Sequence, residues 1–137
     1  IGTGLASLFF LTTDLFTPNI DKALDELAHH VASFSAIQNL LKGVMSGLLI
    51  AALVWMLPSV SNKFLVIFFM TYLIGLGDFT HVVVGSTEMS YLVWQGEASL
   101  GEYMFNFLIP TTIGNIIGGT GVFTLVIYGQ VTEELEQ

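Results

Sequence analysis

The sequence predicts an all-α membrane protein in which one apolar helix is broken by a polar loop. Of the 137 residues, 53% are hydrophobic and 10% are charged, whereas soluble domains carry about 25% charged residues. Several apolar runs reach the length of about 20 residues that a helix needs to cross a bilayer. One run is interrupted at residues 75–91, GLGDFTHVVVGSTEMSY, by charged residues and glycines.

Composition also excludes several functions. The chain has no Cys, so it forms no disulfide, thiolate nucleophile or Cys metal site. Its net charge is −8, with only three Lys and Arg together. Phosphate binding depends on clustered Lys and Arg, so we expect no nucleic-acid partner. The acidic residues lie mostly between apolar runs and in the tail VTEELEQ, which is typical of a solvated rim.

Residues 1–12, IGTGLASLFFLT, form an apolar run that is too short to span a bilayer. The run lacks the basic residues that form the start of a signal peptide. We therefore predict that it is the end of a truncated transmembrane helix.

Residues 13–36 are predicted to form a polar linker that contains an amphipathic helix. Thr17 is placed to be its N-cap and Pro18 its first residue. Apolar residues recur at a spacing of three or four, with charged residues opposite; they are Ile20, Ala23, Leu24, Leu27 and Val31. This pattern predicts a helix lying on the membrane surface or on neighbouring helices.

His29 and His30 close this helix. Adjacent residues point about 100° apart on a helix, so the pair is a poor metal chelate. The sequence favours a solvated helix end over a metal site, and it indicates no cofactor. No nucleophile–base pair is visible, so we expect no catalytic residues and no enzymatic activity.

Residues 37–137 are predicted to be a transmembrane half with an acidic tail. Spans are expected at about 37–58, 63–95 and 103–129. The middle segment is longer than one span requires. We predict that it is broken into a helix at about 63–77 and a second, shorter helix at about 86–95.

Two sets of glycines predict close helix packing. Gly43 and Gly47 form a small-xxx-small pair, and a second group recurs at i, i+4 and i+7 on one face. That second group is Gly114, Gly118 and Gly121. A nucleotide-binding glycine loop is excluded, because the segment is a continuous apolar span with no preceding strand.

His81, inside the break, is the leading candidate for a functional residue. Ionisable groups at membrane depth cost at least about 2.5–3.5 kcal/mol on insertion scales, and irregular backbone there needs polar partners. Broken helices are how many transporters build a site near the midplane. An imidazole can donate a hydrogen bond to an anion and exchange a proton near neutral pH. The alternative is a His that bonds a backbone carbonyl and serves packing alone.

Four further polar residues are candidates for a role. Asp78 caps a helix or binds His81, and Glu88 is expected to cap the second half-helix. Lys42 extends its ammonium to the membrane interface or raises the anion concentration at a pore mouth. Asn115 lines a pore or bonds across helices, and the second interpretation is favoured.

Three stretches together resemble the second half of the formate/nitrite transporter family. They are LLKGVMSGLLIAALVWM, the His after the break in DFTHVVVGS, and IPTTIGNIIGGTGVF. The resemblance covers nearly the whole chain. It implies an aquaporin-like helical bundle, of which this chain is the second inverted half-repeat: the end of helix 3 and helices 4 to 6, with helix 5 broken. It also implies a homopentamer in the lipid bilayer, with one pore per protomer.

The resemblance also implies roles for residues. His81 stands at the place of the central pore His, Lys42 at the basic residue heading helix 4, and Asn115 at the Asn of the G-N motif. Typical members place Glu before the His and Asn four residues after it. Here Thr80 and Gly85 hold those places, so the chain resembles a divergent inner-membrane branch.

These features support two hypotheses. The first is a channel or transporter for small monovalent anions or their weak acids, of the formate, nitrite, acetate or hydrosulfide class. The alternative is a non-transporting integral-membrane scaffold, in which the break and the glycines serve assembly. The family topology and the single Lys63 in the 58–63 turn favour an inner-membrane or plasma-membrane location with a cytoplasmic C-terminus.

Overall fold

The computed structural model describes residues 1–13 and 15–135, and within those ranges the regular structure is helical, without strands. Five helices come first: α1 Gly2–Thr12, α2 Pro18–Ala32, α3 Ala36–Met56, α4 Lys63–Leu76 and α5 Val82–Gln95. The last helix, α6, covers residues 100–135. Its α-helical parts alternate with two wider π-helical turns, Tyr103–Leu108 and Ile117–Val122. The predicted all-α architecture is confirmed.

Two helices in the described chain are long and apolar enough to cross a membrane, Ala36–Ser59 and Leu100–Thr132. In the most apolar stretch of each helix, only 22% and 11% of the residues are buried inside the molecule. A core helix of a soluble protein would be mostly buried, whereas these helices leave broad apolar faces uncovered. Such faces require lipid or other protein surfaces as their surroundings.

Local side chains set the starts of several helices. Ser35 and Gln38 form a reciprocal capping box at the start of α3, and Asn62 accepts a hydrogen bond from the Leu65 amide at the start of α4. Thr17 and Pro18 occupy the predicted N-cap and first position of α2, but the Thr17 hydroxyl makes no capping bond. The fixed φ of proline therefore contributes to this helix start without a side-chain cap.

Helices α3 and α6 approach each other through glycine. A Cβ added to Gly114 would overlap the Leu40 carbonyl, and one added to Gly118 would overlap the Val44 carbonyl. A Cβ on Gly47 would lie 2.8 Å from the Cα of Asn115. The predicted close packing therefore occurs, backbone against backbone.

Gly121 is an exception to the predicted glycine face. A Cβ there would meet nothing within 4 Å. The prediction assumed ordinary α-helical spacing, but Ile117–Val122 is a π-helical turn. Its wider turn shifts the residues that follow to a different direction around the axis, so Gly121 leaves the contact.

Helices α1 and α2 both pack on α5. Ala28 of α2 joins Tyr91 and Leu92 of α5 in a buried apolar cluster. The indole Nε1 of Trp94 donates to the Gly4 carbonyl of α1 at 3.0 Å. The amphipathic linker helix therefore lies on a neighbouring helix, which was one of its two predicted positions.

The chain is broken between α4 and α5, where the sequence predicts a break. Asp78 has φ 54°, in the left-handed region. The second half-helix begins at Val82, four residues earlier than expected, because the Gly85 amide already bonds the His81 carbonyl at 2.9 Å. Glu88 consequently lies in the second turn, and the prediction that it caps this helix is wrong.

We predict that Gly118→Ala destabilises the full-length protein by about 1–3 kcal/mol, because the Val44 backbone cannot move away from a new methyl group. Gly121→Ala is the matched control and should leave stability unchanged. Thermal unfolding in detergent measures both. Equal melting temperatures for the two variants would contradict the assigned α3–α6 contact.

Candidate functional site

The loop between α4 and α5 is tied to the rest of the molecule through Asp78. The Lys42 Nζ of α3 donates to the Asp78 carboxylate at 2.7 Å and to its backbone carbonyl at 2.9 Å. The His30 Nε2 of α2 lies 3.1 Å from each carboxylate oxygen. One carboxylate therefore joins the linker helix, α3 and the loop.

These contacts correct the prediction for Asp78. Asp78 neither caps a helix nor bonds His81, and its partners are Lys42 and His30. The Lys42 ammonium lies 4.1 Å from the centroid of the Phe34 ring and pairs with Asp78. The Lys42 side chain is thus partly buried, and its charge is balanced by the Asp78 carboxylate.

Thr80 occupies the innermost part of the loop and is buried. Its carbonyl accepts a hydrogen bond from the Ser46 hydroxyl at 2.6 Å, and its own hydroxyl donates to the Asn39 carbonyl at 3.1 Å. Buried peptide groups find no water, so the Ser46 hydroxyl supplies the partner that the Thr80 carbonyl lacks outside a helix.

Asn115 of α6 connects the loop to α3. Its Nδ2 donates to the Gly43 carbonyl at 2.9 Å, and its Oδ1 accepts from the Val82 amide at 3.1 Å. The second bond satisfies one of the amides left free at the start of α5. Its side chain therefore bonds across helices, which is the interpretation that the sequence favoured. Asn115 also lines a cavity that His81 lines too.

His81 lies between two cavities. One, of about 500 Å³, is also lined by Asp78, Gly85 and Glu88. The other, of about 520 Å³, is lined by residues of α3 and α6, including Asn115. Within the described chain, the His81 ring takes part in none of the side-chain hydrogen bonds. The interpretation in which His81 bonds a backbone carbonyl is therefore not observed.

Gly85 has no room for a side chain. It is buried, and an added Cβ would overlap the ring of Phe107, which is itself 1% exposed. The family pattern places Asn at this position. In this chain the Phe107 ring occupies the space that a side chain at Gly85 would need.

Sequence reasoning missed three contributors: His30, Ser46 and Phe107. Ser46 had a usable signal, because it is the one polar residue in the apolar run from Gly43 to Leu57. His30 and Phe107 had none, since their partners lie in distant parts of the chain. The pair His30–Asp78 spans 48 positions.

The described chain is helical, leaves apolar faces uncovered and has a polar loop that breaks one helix. These features are typical of a membrane transport protein. The chain belongs to the formate/nitrite transporter family, whose model matches residues 1–129. The recognition made from the three sequence stretches is thereby confirmed.

Two curated proteins are similar to this chain. The inner membrane protein YfdC of Escherichia coli K12 is 37% identical over 136 residues, which cover 98% of this chain and 44% of that protein. The uncharacterized transporter YHL008C of Saccharomyces cerevisiae is 32% identical over 100 residues, 69% of this chain and 16% of that protein. The chain thus spans less than half the length of these relatives. No solved structure matches it at a significant level.

We predict that Gly85→Ala lowers the stability of the full-length protein by about 1–3 kcal/mol, because the methyl group displaces the buried Phe107 ring. Gly75→Ala is the matched control, since a Cβ there meets nothing within 4 Å. Thermal unfolding in detergent is the measurement.

The double variant Gly85→Ala with Phe107→Leu tests the mechanism. If the two side chains compete for one space, the double variant should be more stable than the sum of the single effects predicts. Additive effects would show that Gly85 and Phe107 act independently.

Proposed function

We propose that this chain forms half of a transmembrane pore for small monovalent anions or their weak acids, of the formate, nitrite, acetate or hydrosulfide class. Family membership supports transport. The yeast relative, named as an uncharacterized transporter, agrees with it.

The observation that carries the proposal is the position of His81 between two cavities, with no hydrogen-bond partner for its ring in the described chain. The imidazole is thus available to a solute that passes from one cavity to the other. It can donate a hydrogen bond to an anion or transfer a proton that converts the anion to its neutral acid. The neutral form crosses an apolar constriction at much lower cost than the charge does.

The proposal extends to architecture. Residues 37–137 form the second half-repeat of an aquaporin-like bundle, completed by a first half-repeat and assembled as a homopentamer. The exposed aromatic face of α4 supports this arrangement, because it needs a covering surface; it includes Phe64, Phe68 and Tyr72. The C-terminus is placed in the cytoplasm of an inner or plasma membrane, and the last residues of the acidic tail, 136 and 137, lie outside the described residues.

We predict that His81→Ala abolishes most formate and nitrite flux in proteoliposomes that contain the full-length protein. His81→Gln should retain part of the flux if a hydrogen bond suffices, and none if a proton must be transferred. Tyr128→Phe, at an exposed position on α6, is the control. Unchanged flux in His81→Ala across formate, nitrite, acetate and hydrosulfide would refute the role of His81.

Asp78→Asn tests how the loop charge affects permeation. Asparagine tolerates the left-handed backbone and can still accept a bond from Lys42, but it no longer neutralises that ammonium or repels anions. We expect a severalfold rise in anion flux that shrinks at high ionic strength. Asp21→Asn, which removes an exposed carboxylate on α2, should change nothing. A loss of flux in Asp78→Asn would contradict this account.

A wild-type protein that is inert toward every anion in this panel would favour the alternative, a non-transporting scaffold. The same proteoliposomes decide this question, provided that the protein is folded and inserted. A sealed path between the two cavities in the assembled protein would point the same way.

A further inference from the structure

We propose that Asp25, His29 and Glu97 form a binding site for a divalent transition-metal ion, with Zn²⁺ as the best match. The site joins the linker helix α2 to the turn that follows α5. It is separate from the loop at Asp78 and does not depend on the proposed transport function.

The three ligand atoms are already close together. The His29 Nε2 lies 2.7 Å from the Glu97 Oε2 and 3.9 Å from the Asp25 Oδ1. All three atoms lie within 4.8 Å of one another. In a tetrahedral zinc site with bonds of about 2.0–2.2 Å, ligand atoms are about 3.3–3.6 Å apart. Small side-chain rotations bring the group to that geometry.

The backbone fixes the three residues. Asp25 and His29 are four apart on α2, so both side chains lie on one face of the helix. Glu97 follows Gly96, whose φ of 80° ends α5 in the left-handed conformation. The Glu97 amide then bonds the Leu92 carbonyl at 3.0 Å. Two separately held elements therefore present ligands toward each other, which reduces the entropy lost on binding.

A small polar cavity adjoins two of the three ligands. His29 and Glu97 line a small cavity of about 90 Å³ together with Asn39, which is 1% exposed. The Asn39 Nδ2 donates to the Asn106 carbonyl at 2.8 Å, but its Oδ1 has no partner in the described chain. A buried oxygen without a donor is costly. The cavity has room for a water molecule next to His29 and Glu97. Such a water would be the fourth ligand that zinc sites with three protein ligands keep open.

The donor set selects the ion. One imidazole and two carboxylates suit Zn²⁺ and related divalent transition metals. Ca²⁺ and Mg²⁺ prefer oxygen ligands alone, and Cu⁺ prefers sulfur. The lysine of α2, Lys22, is exposed and pairs with Glu26 at 3.7 Å and not with a carboxylate of the site. A bound cation would offset the two negative charges.

The test is a calorimetric titration of the full-length protein in detergent with Zn²⁺ alone, near neutral pH. We expect one saturable site per chain. His29→Ala and the isosteric Glu97→Gln should each weaken it by at least about tenfold, since even outer-shell changes cost 10–100-fold in metal affinity.

Two matched controls separate this site from general charge effects. Asp21→Asn and Glu26→Gln each remove an exposed carboxylate of the same helix that is not among the three ligands. Both should bind Zn²⁺ as the wild type does. No saturable binding to the wild type overturns the proposal, as does affinity that His29→Ala and Glu97→Gln leave unchanged. A visible Co²⁺ spectrum that disappears in the two ligand variants would support it independently.

Discussion

The arrangement of the described chain depends on satisfying the backbone of the break between α4 and α5. A helix that stops at membrane depth leaves peptide groups that neither lipid nor water can bond. Ser46 and Lys42 of α3 supply donors to the Thr80 and Asp78 carbonyls, and Asn115 of α6 accepts from the Val82 amide. This is possible because glycine lets α3 and α6 approach closely. The glycine contact and the polar loop therefore depend on each other. Close packing of α3 and α6 brings the polar side chains within hydrogen-bond distance of the loop, and their bonds stabilise the broken backbone.

The second constraint is electrostatic. Lys42 is partly buried, and the Asp78 carboxylate and the ring of Phe34 both contact its charge. The same carboxylate contacts His30, so the linker helix α2 is coupled to the loop through a single residue in a left-handed conformation. His81 is different, since its ring stays available between two cavities. The contrast separates the groups that hold the loop from an imidazole that makes none of the side-chain hydrogen bonds in the described chain.

The sequence predicted the helices, the break and the glycine contact because each of them depends on local periodicity or composition. Its errors have identifiable causes. Glu88 was assigned to a helix start because carboxylates favour that position, but α5 begins earlier and the residue lies inside it. Gly121 was assigned to the packing face because ordinary helical spacing was assumed, and the π-helical turn shifts it away. Both errors concern the detailed path of a helix, which hydropathy does not encode.

By itself the sequence determined the membrane class, the family and the position of the polar loop, because apolar length, glycine spacing and short motifs are local properties. Only the tertiary structure decided the partners: Asp78 with Lys42 and His30, Asn115 with the start of α5, and Phe107 against Gly85. The physical reason is separation along the chain. His30 and Asp78 are 48 positions apart, and no local pattern records which side chains meet once α2 has packed on α5.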